Sequence, residues 1–359
     1  MKKKIALVAL AAVAVGAQAA DGISGYALID GGIASSKITG PGITSSKTEF
    51  MTGGVAPNFV GMKFEKSAEG ITAGLQLEQG FLLNQVAGHN AGFGYTWSGL
   101  DASKNELLNR QRNLYVKGGF GTVVLGMQPN IAFNSLFIGD PRGGSNYGSS
   151  LTAVVADGGL STIDNSSVSY TSPSISGFTV GAQYLGQAGD AADGVKKGNR
   201  VTATYSDGKL TVGVANYTTE LQDTTKKNST GTILAANYKL GDFTLKGLTV
   251  SQKNTSYTST FKTDGVGTTY ALNGKTTLDF GYYTTKNSDS SSYKVDTTAF
   301  GAYYKLMKDL TAYGQYSVSE NKGAATSSWN FCYEQLATPT ITAGQKATAI
   351  NVGLMFSFF

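Results

Sequence analysis

One cysteine, one histidine and six prolines in 359 residues leave several kinds of chemistry without their parts. Cys332 alone closes no intramolecular disulfide and builds no cysteine-ligated metal site. His89 alone gives little footing to a histidine-ligated metal or to a nucleophile–histidine–carboxylate triad. There is no P-loop, dinucleotide fingerprint or HExxH motif. Arg142-Gly143-Gly144 is one RGG copy without a basic field, weak support for RNA binding. The formal charge of +5 shrinks to 26 basic against 24 acidic residues once Lys2, Lys3 and Lys4 are set aside, so charge makes no case for a nucleic-acid partner. No run of 18 apolar residues follows the first 19 residues, which excludes helical membrane spans. Low proline beside 47 glycines argues against collagen and disorder. The expectation is no catalytic residue, no cofactor and no metal.

What is present begins with a leader. Three lysines at 2–4, an apolar run from Ile5 to Val15 and Ala17-Gln18-Ala19 follow the order of a cleavable secretory signal peptide over residues 1–19. Residues 20–359 are then read as one domain, exported and rich in Gly, Thr, Ser and Tyr, a composition suited to antiparallel β-structure. Period-two alternation is clear in Phe178–Tyr184, Leu278–Tyr282, Phe300–Leu306 and Leu310–Val318, each with one apolar face. The last stretch, Ile350 to Phe359, has its apolar face at the even positions through Phe358.

Connections alternate in length. Short turns are expected at 67–70, Gly118-Gly119, 173–177, Asp207-Gly208, Gly241-Asp242, Asn273-Gly274 and 307–309, several being strong hairpin signals. Longer polar loops are expected at 34–55, 81–108, 129–165, 186–198, 218–230, 253–263, 287–294 and 320–345. Fifteen connections imply an all-β fold, a 16-stranded antiparallel transmembrane β-barrel with short periplasmic turns and long external loops. About 21 residues per strand and connection leave room for the roughly 9–11 that a tilted strand needs to cross a bilayer. Closure removes sheet edges, which lipid does not tolerate. Tyr282, Tyr304 and Tyr316 suit the interfacial aromatic girdles. The long connection, Pro129–Asn165, shows no clear periodicity over about 36 residues, a length that is usually functional.

With these features the chain resembles the general porins of Gram-negative outer membranes, of the beta-proteobacterial type. The resemblance rests on Gly25-Tyr-Ala-Leu-Ile-Asp30, Gln76-Leu-Glu78-Gln-Gly80-Phe81, Asn109-Arg110-Gln111, Phe120 to Gly126, and Asp164 to Pro173, in the family's order, with a terminal phenylalanine. It implies a trimeric, 16-stranded, water-filled channel in outer-membrane lipid. Small hydrophilic solutes and ions would diffuse through it passively, and the third external loop, here 129–165, would fold inward as the constriction. Two wall arginines common in the family are missing, with Phe59 and Met127 at those places. A substrate-selective channel on the same fold is the nearest alternative. An adhesin or a barrel enzyme, for which His89 is the only general-base candidate, is the more distant one.

Parity nominates residues for the inner face. Met62 and Phe64 belong to the lipid phase of their strand, leaving Lys63 and Glu65 inside; likewise Gln76, Glu78, Gln111, Asn113, Tyr115 and Lys117, and also Lys239, Asp279 and Lys305. Lys63, Glu65, Glu78 and Lys117 are the expected lumen wall. Asp140 and Arg142, flanking Pro141 before Gly143-Gly144, are the expected constriction charges together with Asp157, and solvation or mutual pairing is the plainer alternative for them. Arg110 and Arg112 fall in the outward phase, expected at the rim or as an anchor for the loop.

Overall fold

The computed structural model describes residues 21–83, 107–156, 160–186, 195–221, 229–253, 260–287, 293–323, 329–330 and 340–359. The expected leader, His89, Asp157 and Cys332 lie outside these described residues.

The chain opens with β1 (Gly22–Gly40), which turns at Pro41-Gly42 into β2 (Ile43–Thr52). The long loop expected at 34–55 is therefore a hairpin, with Gly31–Gly40 laddered onto Ile43–Thr52. Its residues are polar because most of β2 is exposed, so an inward–outward alternation of apolar residues never develops. Gly42 adopts φ +76°, which suits the third place of a tight turn after proline. Next comes β3 (Phe59–Ala68), paired with the first part of β1, Gly22–Leu28. Thus β2 and β3 lie end to end along one side of β1, a single stave broken at residues 53–58.

The remaining staves follow in order: β4 (Ile71–Gly80), β5 (Gln111–Gly118), β6 (Gly121–Pro129), β7 (Ile163–Thr171), β8 (Phe178–Leu185), β9 (Val195–Ser206) and β10 (Leu210–Leu221). Then come β11 (Ser229–Leu240), β12 (Phe243–Lys253), β13 (Thr260–Ala271), β14 (Thr276–Asn287), β15 (Lys294–Met307) and β16 (Leu310–Asn321). A two-stranded ribbon of β17 (Trp329–Asn330) and β18 (Thr340–Ile341) precedes the last strand, β19 (Lys346–Phe358). Every ladder is antiparallel, and β19 pairs back onto β1 from Ala27↔Phe358 to Thr39↔Lys346. With β2 and β3 counted as one stave, the sheet is a closed 16-stranded barrel.

All seven expected short turns join strands at one end of the barrel, including Glu69-Gly70, Gly241-Asp242 and Lys308-Asp309. The outer face is apolar: Leu114, Val180, Val201, Leu234, Val266 and Phe300 are exposed. In β19 the exposed residues are Ile350, Val352, Leu354, Phe356 and Phe358, the phase read from the sequence. Phe359 leaves that phase and stacks on Tyr26, ring centroids 6.4 Å apart. No helix among the described residues is long and apolar enough to cross a membrane. The buried apolar cluster lies inside the barrel, where residues after β6 pack on β10–β12.

Candidate functional site

The segment after β6 has secondary structure that its pattern conceals. Helix α1 spans Ile131–Gly139, and a single π turn covers Thr152–Ala156. Asn130 is the reason the helix starts where it does. Its Oδ1 accepts from the amides of Ala132 (2.8 Å) and Phe133 (3.2 Å), while its Nδ2 donates to the Ser161 carbonyl (3.0 Å). One side chain thus caps the helix and ties the two roots of the segment together. At the other end the Asp140 amide donates to the Leu136 carbonyl (2.8 Å).

Helix α1 is largely apolar on both sides, one buried and the other, with Ile131, Phe137 and Ile138, half-buried. Ala132, Phe133 and Leu136 pack with Leu151, Val154 and Leu160 of the same segment. Across from them stand Ala215, Tyr217, Ile233, Ala235, Leu248 and Val250 of β10–β12. Those three strands are apolar on both faces, as strands covered on both sides are. The run Ile233-Leu234-Ala235-Ala236 carried that signal in the sequence. At Gly139 a Cβ would meet the Gly247 carbonyl at 2.1 Å, so only glycine allows the helix end this close to β12.

Beyond α1 the segment runs on along the inner wall. Asn237 Nδ2 donates to the Ile138 carbonyl (2.9 Å) and Lys246 Nζ to the Asp140 carbonyl (3.0 Å). Arg142 then reaches β14–β16: Nε donates to Asp279 Oδ1 (2.8 Å), and Nη2 to Gln315 Oε1 (2.9 Å) and the Tyr303 hydroxyl (3.2 Å). Asp140 accepts from the Tyr283 hydroxyl (2.7 Å) and the Arg142 amide (2.8 Å) on one oxygen, and from the Ser150 amide (3.0 Å) on the other. Both side chains are buried, Asp140 at 0% and Arg142 at 4% exposure. They form a clamp and present no charge to water.

The segment's far contact is the break between β2 and β3. Asn146 Nδ2 donates to the Gly53 carbonyl (2.7 Å), and its amide to the Val55 carbonyl (3.3 Å). The break is itself held by Asp30, whose Oδ2 accepts from the Val55 (2.6 Å) and Ala56 (2.9 Å) amides and whose Oδ1 accepts from the Tyr313 hydroxyl. Asn58 accepts from the Asp30 amide and donates to Thr52 Oγ1 (2.6 Å). No sequence pattern announced this bend, since a loop was expected there.

A second polar cluster joins β1 and β3–β5. Glu78 Oε2 accepts from the Tyr26 hydroxyl (2.9 Å) and Gln111 Nε2 (2.9 Å), and its Oε1 accepts from Arg110 Nε (2.6 Å). Glu65 accepts from the Tyr115 hydroxyl (2.7 Å) and Lys117 Nζ (2.8 Å). Lys63 Nζ sits 5.5 Å from the centre of the Tyr26 ring. So Lys63, Glu65, Glu78 and Lys117 come together, on the face opposite exposed Val60, Met62, Ile71 and Val116. Arg110 stays at the external end of its strand, as expected, but departs from the outward phase. It precedes β5, after Leu108 at φ +60°, so strand parity does not govern it. Its guanidinium covers Phe59 at 4.8 Å and brings a cation to the place where the wall arginine was missing. Arg112 keeps its exposed phase, beside Met127 Sδ at 3.5 Å.

The sequence profile of the Gram-negative porin family matches residues 6–324. The chain belongs to the Gram-negative porin family. Among solved structures it is similar to the anion-selective porin from Comamonas acidovorans, at 19% identity and TM-score 0.77, covering 94% of this chain and 99% of that one. It is also similar to OmpT of Vibrio cholerae folded in vitro (15%, TM-score 0.61, 94% and 97% covered). The OmpF of Salmonella typhi in complex with daunomycin matches too (14%, TM-score 0.64, 94% and 97% covered). At these identities the likeness concerns the fold. No curated protein sequence matches. This porin is accordingly an outer-membrane channel for passive diffusion, and its family and fold are those of a channel rather than an enzyme.

Proposed function

We propose that residues 129–165 set the narrowest part of an aqueous channel through this porin, passing small hydrophilic solutes and ions down their gradients without a chemical step or a cofactor. The observation that carries the reading is the segment's path. It follows the inner wall from α1 against β10–β12 to Arg142 on β14–β16, touches the break at Gly53 and Val55 through Asn146, and returns to β12 at Ala153. Asp140 and Arg142 fix where the constriction lies and do not themselves meet the ions. Asp157, the remaining acid expected at the constriction, lies outside the described residues, and the charged wall of the channel is Lys63, Glu65, Glu78 and Lys117. In that wall Glu78 is matched by Arg110 and Glu65 by Lys117, which leaves Lys63 as surplus positive charge and a weak anion preference.

In this reading residues 1–19 are removed on export and the mature barrel works as a homotrimer, the form named for one Vibrio cholerae OmpT structure of the same fold. Purified protein in planar bilayers is expected to give discrete conductance steps with a reversal potential on the anion side. Bilayers without steps would overturn the channel. Lys63→Glu should carry the reversal potential toward cations; an unchanged value would remove Lys63 from the wall.

A further inference from the structure

The short-turn end of the barrel holds a lysine cluster that the constriction does not use. A cavity of about 150 Å³ is lined there by Lys246, Lys275, Lys305 and Lys308, with Pro141 and Gly143 of the clamped segment on another side. That is room for about five water molecules at liquid volume, or for one small oxyanion with part of its shell. Topology brings the lysines together: the Lys305 amide donates to the Lys275 carbonyl (2.9 Å), and Lys308 lies in the turn that follows β15.

Asp279 is the one carboxylate lining this cavity, and both of its oxygens are engaged. Oδ1 accepts from Arg142 Nε and Oδ2 from the Tyr303 hydroxyl, each at 2.8 Å. Lys246 Nζ gives one of its three protons to the Asp140 carbonyl and keeps two for a ligand. Among the described residues Lys275, Lys305 and Lys308 have no acidic partner. Thr277, Thr311 and Ser357 add hydroxyls to the lining. Four lysines line one recess whose one lining carboxylate is already matched, a charge balance that attracts a multiply charged anion more than a single halide.

We infer that this recess is a binding site for a small, multiply charged oxyanion of the phosphate class, held by Lys246, Lys275, Lys305 and Lys308. The inference rests on the channel reading only for how the anion arrives. Occupancy would slow chloride passage from the short-turn side, which makes the channel's response to such anions one-sided.

Calorimetric titration of the detergent-solubilised, folded porin with pyrophosphate tests binding without requiring conduction. Saturable binding is expected, weakened about fivefold or more in K275Q/K305Q/K308Q, as the loss of three converging charges requires. K66Q/K209Q/K239Q removes the same charge from exposed lysines at the same end that do not line the recess, and should bind as the parent does. Equal weakening in both triples would mean a diffuse potential and overturn the site, as would absence of saturable binding in the parent. In bilayers, pyrophosphate should block chloride current more strongly from the short-turn side, and the first triple should abolish that asymmetry. Binding without conductance would keep the site and overturn the channel; conductance without binding would do the reverse.

Discussion

Arg142 is the residue on which the interior of this porin turns. Its guanidinium has no exposure, and its donors reach Asp279, Tyr303, Gln315 and the Tyr147 carbonyl. Breaking a buried pair by deleting one member costs about 3–5 kcal/mol, because the other charge stays buried. Arg142→Ala should therefore lower the urea midpoint of the folded barrel markedly and release the segment from β14–β16, seen as noisier single-channel current and new cleavage by protease within 140–150. Arg142→Met with Asp279→Leu removes both charges and should recover much of the lost stability. If the double variant is as unstable as the single, charge pairing is not what Arg142 supplies. Gly148 is the matching steric point. It adopts φ +63°, and a Cβ there would meet the Cβ atoms of Ala299 and Ser317, each at 2.7 Å. The sequence made Arg142 and Asp140 conspicuous by their place beside Pro141 and two glycines. It could not reveal that they are buried, because their partners lie more than a hundred residues away on strands whose parity says only "inside".

At the scale of elements, strands with one wet and one greasy face are legible, and helix α1 is not. The phase of β8, β14, β15, β16 and β19 follows directly from alternation, since lipid on one side and polar groups on the other impose a period of two. Helix α1 carries apolar residues on its half-buried side (Ile131, Phe137, Ile138) as well as on its buried one, so Ile131–Gly139 has no amphipathic period to detect. Its anchoring makes it testable: Leu136 is fully buried, and Leu136→Ala should cost about 2–5 kcal/mol in urea-driven unfolding. A loss well below that range would mean the helix is not packed on the wall. Turns are legible for a different reason, being local. Asp207 Oδ1 accepts from the Lys209 and Leu210 amides, both at 2.8 Å, and these bonds hold its carboxyl below the usual carboxylate range. A depressed folded pKa stabilises the turn at any pH above the unfolded value, about 3.9, and the contribution fades as pH falls through the lower folded value. The Lys209 and Leu210 amide resonances should accordingly titrate with a midpoint below that of a free aspartate, and Asp207→Asn should abolish the transition.

On the scale of the whole molecule, two solvents meet the barrel wall, and the outer one sets how much a misplaced charge costs. Leu234 and Leu240 lie on one strand, β11, with the same exposed phase; Leu234 pairs with Val214 at mid-ladder, while Leu240 adjoins the short turn at Gly241. If the apolar band spans lipid, the same substitution must have unequal effects at the two places. Leu234→Arg should destabilise the barrel by about 2–4 kcal/mol and Leu240→Arg by about 0–1 kcal/mol, because the penalty for arginine falls from the bilayer midplane to its interface. Urea titrations of the two variants folded into lipid vesicles measure the difference directly. A packed soluble interior would not produce that gradient, because both side chains are about half exposed and would already be in water. Equal penalties would therefore deny that this face meets a bilayer, whereas the predicted gradient would locate the midplane along β11. The same comparison in detergent should shrink the gap, since a micelle adapts its thickness to the charge more readily than a bilayer does.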